Sequence, residues 1–267
     1  MSNIGDAFQA GDLTAAISAA TAGVKAAPRD AGARWLLTEM LLFAGEVERA
    51  DRTLDSVIEN EPSPAVLEFR RLLRAEVVRR QVFGEGRVPK FQGDEATPAQ
   101  TAAMRAVTLL RLGDAAGAAA AAAEAEELRP RAPGQARAPD GTVLEFDDLR
   151  DADDLFSPHF EVLTAGGDYM WVPVERLQSL TFEAARRPRD LFWRRTNLTL
   201  KDGTEGLVFI PAVYLWTDPK TPASLKLGRE TDWPEAGEGP VRGLGQRLLL
   251  AGEEALPLAA AGSLSFA

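Results

Sequence analysis

The sequence contains no cysteine and only one histidine. The first absence excludes disulfides, thiolate nucleophiles and every zinc or iron–sulfur site that needs a cysteine ligand. The second excludes the multi-histidine metal centres. His159 follows Pro158 with no partner at metal-ligand spacing and reads as a structural or exposed residue. Glycine motifs that cradle phosphates or dinucleotides are missing, as is the Gly-x-Ser-x-Gly of serine hydrolases. No stretch reaches the roughly 18 apolar residues of a membrane span. Met1 to Ala10 lacks the basic-then-apolar order of a secretory signal. These absences together predict a cytoplasmic protein with no cofactor, no metal and no membrane insertion.

What is present is enough to fold. The chain has 267 residues, 45% hydrophobic and 26% charged, which suits one large or two modest domains. Its net charge of −10 is unevenly placed. Residues 1–139 hold 17 basic against 19 acidic side chains, and residues 140–267 hold 13 against 21. Such a surface repels phosphate backbones and acidic headgroups, so nucleic acid is not an expected partner.

The front of the chain repeats. Three segments open with glycine plus an acid and close on proline 17 residues later: Gly11–Pro28, Gly45–Pro62 and Gly113–Pro130. The first two are 34 residues apart and the third lies twice 34 further on, which is the period of a tetratricopeptide helix pair. Ala16, Ala50 and Ala118 follow the glycines at the same distance, where a small side chain lets helices approach. Trp35, Leu36, Leu42, Leu54, Val57 and Ile58 read as the core of the stack. The period fails at position 79, where a helix over Ala65–Phe83 is followed by a loop-like Gly84–Pro98. Stacked pairs of this kind leave a concave groove for a peptide or helix, or serve as a dimer surface or spacer. Arg70, Arg74 and Arg79 on the basic helix are the candidate partner-binding residues, although local pairs such as Glu76–Arg80 suit a solvated face equally.

Prolines at 130, 133 and 139 then break helical patterning. The expected organisation is a helical domain over 1–130, a linker over 131–140 and a β-rich domain over 141–267. Beyond the linker the apolar period shortens toward two. Phe160–Leu163 and Tyr169–Val172 flank a Gly-Gly-Asp turn, Asn197–Leu200 and Leu207–Ile210 flank Asp202-Gly203, and Leu248–Leu250 and Leu256–Leu258 flank Gly252. Ser263–Ala267 reads as a last strand and Val174–Gln178 as a short helix. The fold class is α+β, with tetratricopeptide-like repeats followed by a small barrel-like or bent-sheet domain.

Two charged stretches are candidates for chemistry. Asp147, Asp148, Asp151, Asp153 and Asp154 surround Arg150, and paired carboxylates run acid–base chemistry or hold a hard cation. Turn formation and ion pairing are the simpler reading. Arg186 to Arg195 interleaves bases with Phe192 and Trp193, a pattern that can bind nucleic acid but here suits a turn fixed by Arg189 and Asp190, with Trp193 in the core.

The back half resembles a known family through Phe146-Asp147-Asp148-Leu149-Arg150-Asp151-Ala152-Asp153-Asp154, Glu161, Gly167-Asp168-Tyr169-Met170-Trp171-Val172-Pro173, Arg189-Asp190-Leu191-Phe192-Trp193 and Pro211-Ala212-Val213-Tyr214. These stretches are similar to the ImpE family, also called TagJ, accessory proteins of bacterial type VI secretion systems. The resemblance implies a non-catalytic adaptor associated with the contractile sheath. It implies contact with the N-terminal helix of the sheath subunit TssB, an influence on recycling by the ATPase ClpV, and no catalytic motif. Combined with the repeats, this predicts a TssB helix lying in the groove. The competing expectation is an enzyme or metal-binding protein using Asp147–Asp154.

Overall fold

The computed structural model describes residues 3–60, 62–93 and 95–267. Gly11, Gly45 and Gly113 all take left-handed backbone, with φ of 81°, 80° and 83°. Each turns one helix into the next: α1 (Ile4–Ala10) into α2 (Leu13–Ala26), α3 (Ala31–Ala44) into α4 (Val47–Asn60), and α6 (Pro98–Arg111) into α7 (Ala115–Leu128). A β-carbon is disfavoured at that φ, which is why glycine recurs there. Asp12 and Asp114 then cap α2 and α7 by accepting the amides of Ala15 and Gly117. Ala16, Ala50 and Ala118 are wholly buried in the second helix of each pair. The front half is therefore a tetratricopeptide-like stack, as the spacing predicts.

The unit that breaks the period is a single long helix, α5 (Pro64–Glu85), capped by Ser63 and ended by Gly86. The loop that follows is not structureless. Lys90–Phe91 forms β1, which lies parallel to a strand of the back half, while the Phe91 ring packs edge-on against Trp171.

The 131–140 segment, expected as a linker, also carries a strand, β2 (Gly134–Arg137). Gly134 permits this because Ser265's carbonyl and Phe146 occupy the space a β-carbon would take. There follow β3 (Val143–Phe146), β4 (Leu149–Asp151), β5 (His159–Thr164), β6 (Tyr169–Pro173), β7 (Leu177–Phe182), β8 (Trp193–Leu200) and β9 (Glu205–Pro211). After a short helix α8 (Ala223–Lys226) come β10 (Thr231–Asp232), β11 (Leu244–Gly245), β12 (Leu248–Ala251), β13 (Glu254–Pro257) and β14 (Ser263–Phe266). Among the described residues nine strands form one sheet in the order β1-β6-β5-β9-β8-β7-β14-β2-β3, beside small β13-β12-β4 and β10-β11 sheets. The large sheet is open rather than a barrel, with β1 and β3 at its edges. All three expected hairpins are present, as β5–β6, β8–β9 and β12–β13. Val174–Arg176 is a 3-10 turn, and Leu177 and Gln178 already belong to β7.

Strand alternation explains how the halves meet. On β5, β6 and β9 the residues Phe160, Val162, Met170, Val172, Val208 and Ile210 face a core on the far side of the sheet. Their neighbours Leu163, Tyr169, Trp171 and Phe209 face the helices and join one continuous apolar cluster with Leu41, Phe43, Phe69 and Leu72. Phe192 meets Phe43 edge-on at 5.4 Å and Trp193 meets Phe69 at 6.3 Å. At β5 and β6 the sheet thus buries both faces, which suits their nearly continuous apolar residues.

Candidate functional site at the junction of the halves

The junction is held by charge as well as by apolar contact. Glu161 sits midway along β5 on the helix-facing side, opposite Trp171 of β6. Its two oxygens accept from Arg79 Nε at 2.8 Å and Nη2 at 2.9 Å. The Tyr169 hydroxyl donates to it at 2.6 Å, and Arg247 pairs with it from the other side. Burial would raise the Glu161 carboxyl, but Arg79 and Arg247, with these hydrogen bonds, hold it down at about 2. Burial would lower the Arg79 guanidinium, and Glu161 and Glu76 outweigh that to raise it.

From this pair the network runs both ways. Toward the helices, Glu76 lies 3.4 Å from Arg79 and accepts the Trp193 indole N–H at 3.1 Å. Toward the sheet, Arg247 lies 3.3 Å from Asp151, whose other oxygen accepts the Tyr214 hydroxyl at 2.7 Å. Burial pushes Asp151 up to about 6 despite Arg247. Tyr169 accepts the Trp171 indole N–H at 2.7 Å, and Gln100 of α6 donates to the Trp171 carbonyl at 3.3 Å. His159 stacks on Trp171 with ring centres 3.9 Å apart, and neither ring nitrogen has a hydrogen-bond partner among the described residues. Burial lowers it to about 3, so it is neutral near pH 7. Arg79, Glu161, Arg247 and His159 are at most 1% exposed. A substrate cannot reach them as the chain is folded.

Arg79 therefore does not face a partner, contrary to the reading of its helix as a solvated or ligand-facing surface. Burial against Glu161 is the reason. Arg70 braces α5 to α4, 3.0 Å from Asp51 and 2.6 Å from Asp55. Arg74 is largely exposed, 3.8 Å from Asp51. Leu36, expected in the core, is 37% exposed. The expected groove is also filled. The first helices of the pairs and α5 present Phe43, Phe69, Arg79, Phe83 and Gln100 to the chain's own sheet half, so a partner helix cannot lie along that face.

The acidic run is not a cluster in space. Asp147 pairs with Arg131, Asp148 with Arg129 and the Ala132 amide, and Asp154 with Arg150 and the Val241 amide. Asp153 accepts from Leu155 N, Arg242 and Gly243 N. Among the described residues no group of three or more acids and histidines could hold a metal. The basic run is dispersed too: Arg189 is buried over Trp35 and Phe69, at 4.9 and 4.5 Å from the rings, and Arg195 lies near Glu68 and Glu183. Sequence reasoning missed Glu76 and Arg247 as members of the network. The available signal for Arg247 was a charge placed directly before the apolar run Leu248-Leu249-Leu250.

Residues 144–265 match the ImpE protein family and residues 7–73 the tetratricopeptide repeat. The chain is 34% identical over 256 residues to the type VI secretion system accessory component TagJ of Pseudomonas aeruginosa, covering 93% of this chain and 86% of that one. The chain belongs to the ImpE (TagJ) family. A solved structure, protein VPA1032 from Vibrio parahaemolyticus, is similar throughout, with a TM-score of 0.89 and 27% identity over 100% of this chain and 98% of that one. In this ImpE chain the stretches behind the resemblance supply Asp151, Glu161, Tyr169, Trp171, Trp193 and Tyr214, all of which converge on the junction. No helix among its described residues is long and apolar enough to cross a membrane.

Proposed function

We propose that this ImpE-family protein is a non-catalytic adaptor of a bacterial type VI secretion system. Acting in the cytoplasm, it binds the N-terminal helix of a TssB-like sheath subunit and modulates sheath assembly or ClpV-dependent recycling. The observation that carries this reading is that the buried charged and polar side chains form a sealed junction between a helical stack and a sheet. A protein so built acts through its outer surface. The likeness to a type VI secretion accessory component supplies the setting. Because the face expected to hold the TssB helix is covered, contact falls on surface outside it.

The test is calorimetry of the full chain with the purified TssB-like subunit from the same bacterium, paired with sheath imaging in a deletion strain. Micromolar or tighter binding and altered sheath lifetime support the reading. Absence of both overturns it. Stoichiometric divalent metal in the purified protein, lost on Asp151→Ala and Asp154→Ala, would favour the enzyme or metal-binding alternative instead.

A further inference from the structure

Beside α1 the two halves meet around an open cleft, with Arg229 of the back half over the Phe8 ring. Leu36 of α3 and Leu191 of the 3-10 turn Pro188–Leu191 are 37% and 45% exposed, and both line one cleft of about 520 Å³. Ile4, Phe8 and Met40 complete its apolar lining, with Arg186 and Arg187 on the same cleft. A second cleft of about 510 Å³ adjoins it, sharing Phe8, Gln9, Ala185 and Leu191, and is lined by Arg194 and Arg229. The two make one groove beside α1 with a mainly apolar lining, carrying Arg186 and Arg187 in the first cleft and Arg194, Arg229 and Asp190 in the second.

The arginines of this groove outnumber its acids, with Asp190 in the second cleft and Glu39 acting on Arg187. Arg194 donates to the carbonyls of Leu258 and Ala261, and Arg229 to those of Phe8 and Gln9. Neither they nor Arg186 and Arg187 have an ion pair among the described residues. The nearby acid, Asp190, accepts the backbone amides of Arg186 and Arg187. Burial lowers the Arg194 guanidinium to about 10. In a chain of net charge −10 this is a local reversal of sign, and it selects an acidic occupant.

We propose that this groove is a docking site for an acidic amphipathic helix of a partner protein, with its apolar stripe on Ile4, Leu36 and Leu191 and its carboxylates toward Arg186, Arg187, Arg194 and Arg229. A helix suits the cleft because α1 and α3 flank it and the i, i+3, i+4 spacing of a helix presents one apolar edge. The proposal rests on the adaptor reading and gives it a surface.

The test uses two synthetic 14-residue amphipathic helices with the same leucine stripe, one flanked by glutamates and one by lysines, titrated against the full chain by fluorescence anisotropy. The glutamate peptide should bind at least about tenfold more tightly than the lysine peptide, with an on-rate that falls as salt rises. Leu36→Glu with Leu191→Glu should weaken it by about tenfold or more, and Arg194→Gln with Arg229→Gln by a similar factor. Arg186→Glu, at an exposed position, carries the same expectation without disturbing the carbonyls that Arg194 holds. Equal binding of both peptides, no binding up to millimolar concentration, or affinity unchanged in the variants overturns the groove. So does a wild-type dimer that Leu36→Glu dissociates, since the occupant is then a second copy. If the TssB-like subunit binds the wild type and all variants alike, the groove falls and the adaptor reading stands. If the glutamate peptide fills the groove while that subunit does not bind, the groove stands and the sheath assignment falls.

Discussion

Arg79 occupies the position where the 34-residue period would place a turn glycine, and its guanidinium grips both carboxylate oxygens of Glu161, 82 residues away. The residue that interrupts the repeat is the one that ties the repeat to the sheet. A turn at 79 would end α5 before Arg80 could reach Trp216 and Phe83 could reach Phe156.

Glu161→Gln should destabilise the chain by about 3–5 kcal/mol, because it leaves Arg79 and Arg247 buried without their shared counter-charge. Urea denaturation measures this. A loss below about 1 kcal/mol would mean that the two arginines find other partners.

The core that crosses the junction should make the whole chain unfold in one cooperative step. Calorimetric and van't Hoff enthalpies should agree, and residues 141–267 expressed alone should expose Trp171, Trp193 and Phe192 and bind a hydrophobic dye. Two separate transitions, or a soluble and dye-silent fragment, would show that residues 1–130 and 141–267 are independent domains.

His159→Phe should be neutral or stabilising at pH 7.5, since the ring nitrogens it removes have no hydrogen-bond partner among the described residues and a phenyl ring can still stack on Trp171. The unfolded chain takes up a proton at about 6.5, whereas the folded chain does so only near 3. Stability from this site is therefore complete above the unfolded value and is lost as pH falls toward 3. Between pH 7.5 and 5 the variant should gain about 2 kcal/mol relative to the native chain. Parallel stability curves for the two proteins would contradict this.

Gly113→Ala isolates the cost of left-handed backbone, because nothing lies within 4 Å of its added β-carbon, and about 1–2 kcal/mol is expected. Gly45→Ala should cost more. Its β-carbon would lie 3.3 Å from Arg80 and 3.5 Å from Trp216, so the junction must shift as well. Thermal melts of the two variants give the comparison.

The elements legible in the sequence were those with local signals. Gly11, Gly45 and Gly113 mark the helix pairs because a left-handed turn needs glycine, and Asp202-Gly203 marks the β8–β9 hairpin for the same reason. β1 and β2 were hidden because neither carries the run of β-branched and aromatic residues that marks a strand. β1 is two residues pinned by Trp171, and β2 is Gly-Gln-Ala-Arg held between two other strands. The site was harder still. Arg79 shares its helix with Arg70, Arg71, Arg74 and Arg80, and nothing within several residues of it separates a buried guanidinium from a solvated one. Its partner Glu161 lies in the other half of the chain, as does Trp193, which donates to Glu76, and Asp151 meets Arg247 far along the same half.

That arrangement also sets an order of events during synthesis. The helices leave the ribosome first, with Phe43, Phe69 and Arg79 bare, and the residues that cover them span Glu161 to Arg247. At roughly 5–20 residues per second the apolar face of the stack stays uncovered for several seconds or more. Throughout that interval it is exposed apolar surface prone to aggregation, and it is buried once the sheet packs against it.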